Sequence, residues 1–314
     1  MDDRDCPEGP AEMPARVVES FGRRVAVESS EGRLPAELFG KRLNCVCGDD
    51  VTIRLPSRRS GDTARVVAVA PRRSLFARTD SRGRTEPLAA NLSLLVVIVA
   101  PEPEPDPYIA DRYLAGAALA GVAGAVVINK CDLQSAAAPG FQSLVNEYVA
   151  AGYAVVNVSA LQPSNIEPLR TLLAPHVAML VGQSGVGKST LTNRLAPESA
   201  RATRTLSDAT GEGRHTTVST ALFRIDAGGE LIDSPGVRDY APPLVEDAQV
   251  QVGWPEILAR AAHCRFNNCL HLREPGCAVI GAVEANEMSA RRYESYKRLL
   301  NIMRGIAPQY ERRR

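Results

Sequence analysis

The sequence has no long apolar run. Its longest apolar stretch, residues 115–128, is interrupted by glycines and falls short of the ~20 apolar residues that a membrane-spanning helix needs. The first residues, MDDRDCPEGPAEMP, are acidic and contain prolines, whereas a secretory signal is basic and then apolar. The sequence therefore predicts a cytoplasmic protein with no membrane partner, and a short disordered head at residues 1–14.

The number of cysteines is odd, so they cannot all pair within one chain. The chain has seven cysteines and no secretory signal, and such a chain belongs where thiols stay reduced. Metal ligation is therefore the better interpretation of any cysteine cluster. Cys45 and Cys47 lie in a β region with both thiols on one face, for which core packing is the simpler interpretation.

Net charge is nearly absent, at +1, but the charges are unevenly distributed. Residues 41–84 include eleven basic and four acidic residues, and residues 288–314 include eight basic and two acidic residues. Charge runs commonly form solvated faces. Two basic regions around an acidic middle instead favour a polyanionic partner, and nucleic acid is the commonest one.

Short alternating segments fill the N-terminal part of the chain: ARVVES, RRVAVES, DDVTIRLP and ARVVAVA. Apolar and polar residues that alternate between turns predict a small antiparallel barrel or sandwich. A basic outer face suits an OB-like, RNA-binding β-barrel, although a barrel that only packs on its neighbour fits these residues equally well. Residues 71–87 are rich in arginine and turn residues and indicate a linker or long basic loop, so we place barrel plus linker at residues 15–88.

Apolar runs typical of parallel strands appear after residue 88: NLSLLVVIVA, AGAVVI, YAVVNV and HVAMLV. Helical patterns separate them, which predicts a doubly wound α/β domain at residues 89–241. Residues 242–314 show no strand pattern. They indicate a helix over DAQVQVGWPEILARAAH, a loop with cysteines, and a basic helix whose tyrosine stripe favours core packing over base stacking.

A phosphate-binding P-loop follows the last of these strands. GQSGVGKS lies between the strand VAMLV and the helix STLTNRL, as this motif requires. Its glycines let successive N–H groups face phosphates at the positive end of the helix. We expect Lys188 to reach the β- and γ-phosphates and Ser189 to bind Mg²⁺. The predicted nucleotide-binding residues here are Gly182, Gln183, Ser184, Gly185, Val186, Gly187, Lys188, Ser189 and Thr190.

The segment DSPG follows the strand ELI, downstream of the P-loop. An isolated D-x-P-G is an ordinary turn, but this position favours a nucleotide role. We expect Asp233 to hold Mg²⁺ through water and the Gly236 N–H to meet the γ-phosphate.

The segment NKCD ends the strand AGAVVI at the carboxyl edge of the sheet, where open α/β folds bind ligands. Asp132 can accept hydrogen bonds from guanine N1–H and N2–H₂, which adenine cannot supply, so it favours GTP over ATP. Lys130 can cover the base, and Asn129 can tie this loop to the P-loop. In the following VSA segment, Ser159 and Ala160 complete the predicted base site, with the Ala160 N–H meeting guanine O6.

The motifs occur in an unusual order, because the predicted guanine-binding segment NKCD precedes the P-loop. The chain runs NKCD, VSA, GQSGVGKST, GRHTT at residues 213–217, and DSPG, with a β-barrel before and a cysteine-histidine cluster after. This order resembles the RsgA/YjeQ family of circularly permuted, small-ribosomal-subunit-dependent GTPases over nearly all of residues 15–298. The fold that we expect is multidomain: an OB-like barrel, a circularly permuted α/β P-loop GTPase domain, and a C-terminal helical zinc-binding domain at residues 242–314.

The resemblance implies hydrolysis of GTP to GDP and phosphate, stimulated by the small ribosomal subunit in its late maturation. It implies as partners that subunit and its rRNA, contacted by the barrel and the helical domain, together with other maturation factors. GTP or GDP, Mg²⁺ and one structural Zn²⁺ are the expected cofactors, and we expect a monomer. The rival interpretations are a P-loop ATPase or kinase, and a non-catalytic RNA-binding protein whose nucleotide site is structural.

The C-terminal cluster has the spacing Cys-x4-Cys-x-His-x5-Cys. Three thiolates and an imidazole within one loop suit a closed tetrahedral structural zinc site, the alternative being buried cysteines that happen to cluster. A closed site leaves no open position for catalysis. The predicted ligands are Cys264, Cys269, His271 and Cys277; His263 is left out.

Hydrolysis also needs a group that positions water. Many GTPases have a glutamine after the third-motif glycine, but here Val237 stands in that place. The resemblance offers His215 as the catalytic residue, the alternative being a polar switch residue without a catalytic role. One of Thr216 and Thr217, for which we favour Thr217, completes the Mg²⁺ shell.

The inverted order also predicts a route of coupling. DSPG becomes the last segment of the GTPase domain, so the zinc-bearing domain follows directly from the loop that senses the γ-phosphate. We expect the nucleotide state to be transmitted through residues 236–240.

Overall fold

The computed structural model describes residues 12–40, 42–55, 63–80, 82–162, 165–197, 220–226, 228–233 and 240–311. Within these ranges, no helix is both long and apolar enough to cross a membrane.

The N-terminal strands form a five-stranded barrel. They are β1 (Glu12–Phe21), β2 (Arg24–Ser29), β3 (Gly32–Leu38), β4 (Asp50–Arg54) and β5 (Ala64–Val69). The strands are ordered β1-β2-β3-β5-β4, and β1 also pairs with β4, which closes the barrel on itself. Small and β-branched residues such as Val17, Val27, Ile53 and Val66 fill its interior. This is the OB-like barrel that the sequence predicts.

Two details of the barrel differ from the prediction. Strand β1 begins at Glu12, so residues 12–14 are not part of a disordered head. Strand β3 was not predicted, because Pro35 and its charged neighbours weaken the strand pattern. The structure accommodates Pro35 because only the three residues after it, Ala36 to Leu38, pair with β5; no ladder on that side needs its missing N–H.

The segment predicted as a linker or long basic loop is a β-hairpin. Strands β6 (Leu75–Thr79) and β7 (Thr85–Ala90) form a separate two-stranded sheet. Asp80 closes its turn by accepting hydrogen bonds from the N–H groups of Arg82 and Arg84. The turn residues were recognised, but the alternation on either side was obscured by arginines.

The strands of the α/β domain continue the sheet of the barrel. They are β8 (Leu94–Val99), β9 (Ala123–Ile128), β10 (Ala154–Asn157), β11 (Val177–Gly182), β12 (Thr220–Arg224) and β13 (Glu230–Asp233). The sheet is continuous because β12 pairs with β1. The helices of the domain are α1 (Pro107–Leu119), α2 (Pro139–Ala150), α3 (Glu167–Leu173) and α4 (Lys188–Leu195), with a 3₁₀ turn at Gln134–Ala137. The order is β10-β9-β8-β11-β13-β12, parallel except for β12.

Two apolar cores lie on the two faces of this sheet. Residues of α1 and α2, such as Leu114 and Leu144, pack on one face. Residues of α3 and α4, such as Leu169 and Leu191, pack on the other. The domain is therefore doubly wound, as the alternating sequence pattern predicts.

The helical domain contains a 3₁₀ helix (Asp247–Gly253), α5 (Pro255–Ala261), α6 (Ala278–Glu284) and α7 (Ala290–Glu311). The single helix predicted over DAQVQVGWPEILARAAH is wrong: Trp254 has an extended backbone (φ −127°, ψ 96°) before Pro255 and separates two short helices. Helix α6 was not predicted. The tyrosine stripe is core packing, since Tyr296, Leu300 and Met303 are buried.

Candidate nucleotide and metal sites

The P-loop connects β11 to α4 by backbone conformations that only glycine adopts readily. Gly182 and Gly187 have φ values of +143° and +96°. A Cβ on Gly182 would lie 2.3 Å from Ile98 O, and one on Gly187 would lie 2.3 Å from Asn129 Nδ2. The motif glycines are thus required both by dihedral angles and by neighbours that approach closely.

The side chains of the P-loop divide between the core and the surface. Val186 is buried, whereas Ser184 and Gly185 in the loop and Ser189 and Thr190 in the first turn of α4 are exposed. Lys188 Nζ donates hydrogen bonds to the carbonyl oxygens of Gly182 (2.8 Å) and Gln183 (2.7 Å). The ammonium group therefore lies over the curl of the loop, at the helix N-terminus where phosphate oxygens are favoured.

Asp233 ends β13, the strand next to β11. Burial raises the pKa of its carboxyl group, and the positive charge of Lys188 opposes that rise. An acidic side chain and a cation thus lie at adjacent strand ends, the arrangement that a magnesium-phosphate complex needs. His215, Thr216, Thr217 and Gly236, predicted to complete this site, lie outside the described residues.

Asn129 joins three loops at the carboxyl edge of the sheet. It is 1% exposed, its Nδ2 donates to Val186 O (2.8 Å), and its Oδ1 accepts from the Ala160 N–H (3.0 Å). The base loop, the VSA segment and the P-loop are therefore connected by one buried amide. The contact between Ala160 N–H and guanine O6 stays a prediction, because here that N–H donates to Asn129.

The other predicted base-site residues surround Asn129. Asp132 is exposed at the sheet edge, and Ser159 is buried, with no hydrogen-bond partner for its Oγ within the described part of the chain. Lys130 has a left-handed backbone (φ +59°), and its Nζ donates to Glu102 O at 2.7 Å. The Lys130 side chain therefore contacts the segment that follows β8.

Sequence reasoning missed that segment, residues 102–106, which we call the acidic loop. Gln183 Nε2 donates to Glu104 O (3.1 Å), and Gln183 Oε1 accepts from the Asp106 N–H (3.0 Å). Asp106 also caps α1. Together with the Lys130 contact, these bonds connect the acidic loop to both the base loop and the P-loop. The one sequence signal was Asp106 before Pro107, an N-cap followed by proline at the first helical position.

The predicted metal ligands lie together in the helical domain. One ligand atom from each of Cys264, Cys269, His271 and Cys277 lies within 4.8 Å of the other three. His271 Nδ1 is 3.6 Å from Cys264 Sγ and 3.4 Å from Cys277 Sγ, and these two sulfurs are 3.9 Å apart. Tetrahedral zinc with Zn–S near 2.3 Å separates its ligand atoms by about 3.5–3.8 Å. The donor set and its spacing fit zinc.

Surrounding residues hold the backbone of this loop. Burial acts to raise the pKa of Glu274, but hydrogen bonds from backbone N–H groups, including those of Leu270, Arg273 and Leu272, hold it at about 2. The Tyr293 hydroxyl donates to His271 O and the Tyr296 hydroxyl to Leu270 O. Burial also lowers the pKa of His271, although Glu274 opposes this shift. The environment thus favours the neutral imidazole that metal binding requires.

Cys45 and Cys47 lie apart from this cluster, between β3 and β4, and both are buried. Burial raises the pKa of Cys45 to about 12, with a further increase from Asp49. Both are protonated packing groups, as predicted, but they do not share one face: Cys45 packs in the barrel core and Cys47 in a core of the α/β domain.

Many arginines in the two basic regions form ion pairs. Within the described part of residues 41–84, five arginines form the pairs Arg54–Glu12, Arg72–Asp49, Arg73–Asp50, Arg78–Glu86 and Arg84–Asp80. The raw charge count therefore overstates the free positive surface. The described part of the barrel exposes an aromatic-cation pair: Phe39 is 51% exposed, and the Arg65 guanidinium lies 5.7 Å from its ring centroid.

Comparison with known proteins gives consistent matches. The family model for the RsgA GTPase matches residues 69–242. The small ribosomal subunit biogenesis GTPase RsgA of Azotobacter vinelandii is 40% identical over 295 residues, covering 92% of this chain and 85% of its own. Its counterpart in Pseudomonas aeruginosa is 40% identical over 294 residues, covering 93% and 86%.

Two solved structures are also similar. YjeQ from Thermotoga maritima has a TM-score of 0.73 and 27% identity, with 94% of this chain and 99% of that chain covered. YloQ, described as a circularly permuted GTPase, has a TM-score of 0.71 and 20% identity, with 96% and 98% covered, and supports the fold alone.

Proposed function

Because the chain belongs to the RsgA GTPase family, we propose that the sites described above bind GTP and hydrolyse it to GDP and phosphate during biogenesis of the small ribosomal subunit. The chain is a GTPase of ribosome biogenesis, and a P-loop ATPase is not favoured. Its fold, with the base loop before the P-loop, is similar to that of YjeQ and of the circularly permuted GTPase YloQ.

The observation that carries the proposal is the bonding of Asn129. A single buried amide joins the P-loop, the base loop and the VSA segment. A nucleotide whose phosphates lie on α4 would therefore have its base beside Asp132. The carboxylate of Asp132 matches the two donors of guanine and leaves adenine unmatched.

The chain's own residues provide the rest of the nucleotide chemistry. Lys188 would move from the loop carbonyls to the β- and γ-phosphates. Ser189 and Thr217 would hold Mg²⁺ directly and Asp233 would hold it through water; the ion neutralises charge on the phosphates. His215 would orient the attacking water, and the Gly236 N–H would contact the γ-phosphate.

The proposal also includes the contacts that the chain makes on the ribosomal subunit. Turnover is stimulated by the small subunit late in its maturation, and the barrel and helical domain contact its rRNA, alongside other maturation factors. The exposed Phe39 and Arg65 pair supports the barrel contact, since an aromatic ring beside a guanidinium stacks well on bases. A ribosomal partner implies action in the cytoplasm, and we propose a monomer divided at about residues 88 and 241.

We further propose that the cysteine-histidine cluster holds one structural Zn²⁺. A closed S₃N donor set, buried among the core residues of the helical domain, supports this assignment. Zinc there would fix the fold of residues 264–277 and take no part in hydrolysis.

Guanine specificity is tested by competition of GTP and ATP against a labelled guanine nucleotide, in the wild type and in Asp132→Asn. We expect GTP to compete and ATP to fail. Asp132→Asn should weaken GTP binding about 10-fold or more, because hydrogen bonds to a charged acceptor are worth about 1.5–3 kcal/mol. Asp226→Asn, at another exposed aspartate, is the control and should bind normally; equal loss in both variants would contradict the role of Asp132.

The role of His215 has a separate test. His215→Ala should retain GTP affinity and lose subunit-stimulated turnover, measured as phosphate release. Unchanged stimulated turnover would remove His215 from the mechanism.

A further inference from the structure

We propose that Gln251 is a positioning residue for the metal site: its side-chain amide fixes the tautomer and orientation of His271, so that Nδ1 faces the metal. This role rests on the proposed zinc site. Gln251 lies on the 3₁₀ helix Asp247–Gly253, well before the cluster in the sequence, and no ligand spacing pattern includes it.

The imidazole of His271 has a different partner on each nitrogen. Nε2 lies 2.9 Å from Gln251 Oε1, whereas Nδ1 lies 3.6 Å and 3.4 Å from the sulfurs of Cys264 and Cys277. The side chain is 0% exposed, so water does not compete for either nitrogen. Nδ1 is the nitrogen that belongs to the ligand cluster.

The second bond of Gln251 establishes which nitrogen carries the proton. Gln251 Nε2 donates to Ala248 O at 2.9 Å, and a carbonyl oxygen accepts only from the amide nitrogen. The amide oxygen therefore faces His271, and it can only accept. His271 Nε2 must then carry the hydrogen, which leaves the lone pair of Nδ1 free for the metal.

Gln251 acts from outside the metal loop. Its 3₁₀ helix packs against α1 of the α/β domain, where a Cβ on Gly253 would lie 2.5 Å from Ala115 Cβ. Val250 and Trp254, on either side of Gln251, are fully buried. The metal loop itself supplies the backbone of His271, in a left-handed conformation (φ +58°). The ring is thus oriented by an element that also contacts the α/β domain.

Loss of this acceptor has a defined consequence. In Gln251→Leu, the buried Nε2–H has no partner and the alternative tautomer is no longer disfavoured. Partners that orient a ligating histidine typically change metal affinity by about 10–100-fold. Gln251→Glu keeps an acceptor for Nε2–H but loses the donor to Ala248 O, so it should retain zinc better than Gln251→Leu.

The experiment measures zinc transfer to a colorimetric chelator, with the full-length zinc-loaded protein. We expect Gln251→Leu to release zinc about 10-fold or more readily than wild type, and Gln251→Glu to lie between Gln251→Leu and wild type. Gln249→Leu is the matched control, because the Gln249 side chain belongs to the capping box of the same 3₁₀ helix and accepts from the Glu246 N–H. Equal release by Gln251→Leu and Gln249→Leu would attribute the effect to helix stability and overturn the proposal.

A spectroscopic measurement reads the tautomer directly. Long-range ¹H–¹⁵N correlation of the zinc-loaded protein should show His271 protonated at Nε2 and metal-bound at Nδ1. Metal on Nε2 would overturn the role of Gln251 while leaving the zinc site intact. Wild-type protein that binds no zinc would instead overturn the metal site and this role together.

Discussion

Two joints connect the α/β domain to its neighbours. At the barrel joint, β1 pairs with the edge strand β12, with Glu19 opposite Ala221, and half-buried ion pairs such as Arg16–Glu230 lie alongside. At the joint with the helical domain, Arg292 of α7 enters the interface at 1% side-chain exposure and bonds to Asp111 of α1. One joint is made of backbone hydrogen bonds, and the other of buried charge.

The buried joint is a network. Arg292 also bonds to Glu256, and Arg291 pairs with both Asp111 and Glu147. Burial acts to lower the pKa of Arg292, but Asp111 and Glu256 together raise it above its usual range. Such a network holds its partners in one geometry, because separating them would leave charges buried without partners.

The barrel joint is close in sequence to the predicted switch residues. Strand β12 begins at Thr220, directly after the segment that carries His215, Thr216 and Thr217. The sequence predicts coupling through residues 236–240 into the helical domain. We propose a second route, because β12, which follows the predicted switch segment in the sequence, pairs with β1 of the barrel. We therefore expect the barrel, rather than the helical domain alone, to respond to the nucleotide.

Tyr240 is the last residue of the segment through which the sequence predicts coupling. Its ring is stacked between Phe76 of the hairpin and Tyr113 of α1, with centroid distances of 5.0 Å and 4.8 Å. Thr79 bonds to Ala241 O and Pro242 O. The chain that leaves DSPG is thus fixed to the hairpin before it reaches the helical domain.

The largest expected effect breaks the buried joint. Arg292→Met removes one partner of Asp111, which Arg291 and Ser295 still bond, and removes the ion pair of the mostly buried Glu256, so it should cost about 3–5 kcal/mol. Chemical denaturation followed by fluorescence of Trp254 measures this, since it is the one tryptophan and lies in the core of the helical domain.

The matched change at the barrel joint is Arg16→Met. Its ion pair is partly exposed, so the loss should be about 1 kcal/mol or less. Equal destabilisation by Arg292→Met and Arg16→Met would contradict the distinction between the two joints.

The next effect concerns the Tyr240 anchor. A Cβ on Gly116 would lie 2.0 Å from Tyr240 Oη, so Gly116→Ala should displace the ring and cost about 1–3 kcal/mol. Gly281→Ala is the control, because its Cβ meets nothing within 4 Å and alanine favours the helix. Thermal unfolding compares the two. If both variants were stabilised, the close packing of Tyr240 on α1 would be disproved.

A third change addresses the barrel surface. Phe39→Ala should weaken binding to small-subunit rRNA about 5-fold or more, because stacking on one base is worth about 1–3 kcal/mol. Val149→Ala, at an exposed apolar residue of α2, should have no effect. Filter binding at fixed salt measures both. Unchanged affinity in Phe39→Ala would leave the barrel as a packing unit, the alternative that its sequence also allowed.

The smallest expected effect is a shift of pH dependence at Asp233. Burial raises the pKa of its carboxyl group, so the protonated form persists to a higher pH than in an ordinary aspartate. Mg²⁺ needs the ionised form; Mg²⁺ affinity of the GTP complex should therefore fall as pH decreases through this raised pKa. Asp233→Asn should bind Mg²⁺ weakly at every pH. A wild-type profile as flat as that of Asp233→Asn would exclude Asp233 from the site.

Features that depend on a few neighbouring residues could be predicted from the sequence. The glycines of the P-loop, the NKCD segment at a strand end and the Cys-x4-Cys-x-His-x5-Cys spacing each place chemistry within a few residues. The tie from Asn129 to the P-loop was also predictable, since carboxyl ends of parallel strands meet at one edge.

Contacts between distant segments were not predictable. The bonds of Gln183 to the acidic loop and of Gln251 to His271 join ordinary polar residues, whose partners are determined only by how helices pack. Pro35 concealed β3, and arginines concealed the β6–β7 hairpin. In each case tertiary pairing outweighed local preference.

The central claim is that a ribosomal particle activates this GTPase, and phosphate release tests it most directly. Purified protein is assayed at low salt with small subunits, with large subunits and with no ribosomal particle. We predict that small subunits alone stimulate GTP hydrolysis well above the intrinsic rate. Hydrolysis that is equally slow in all three conditions would contradict the account.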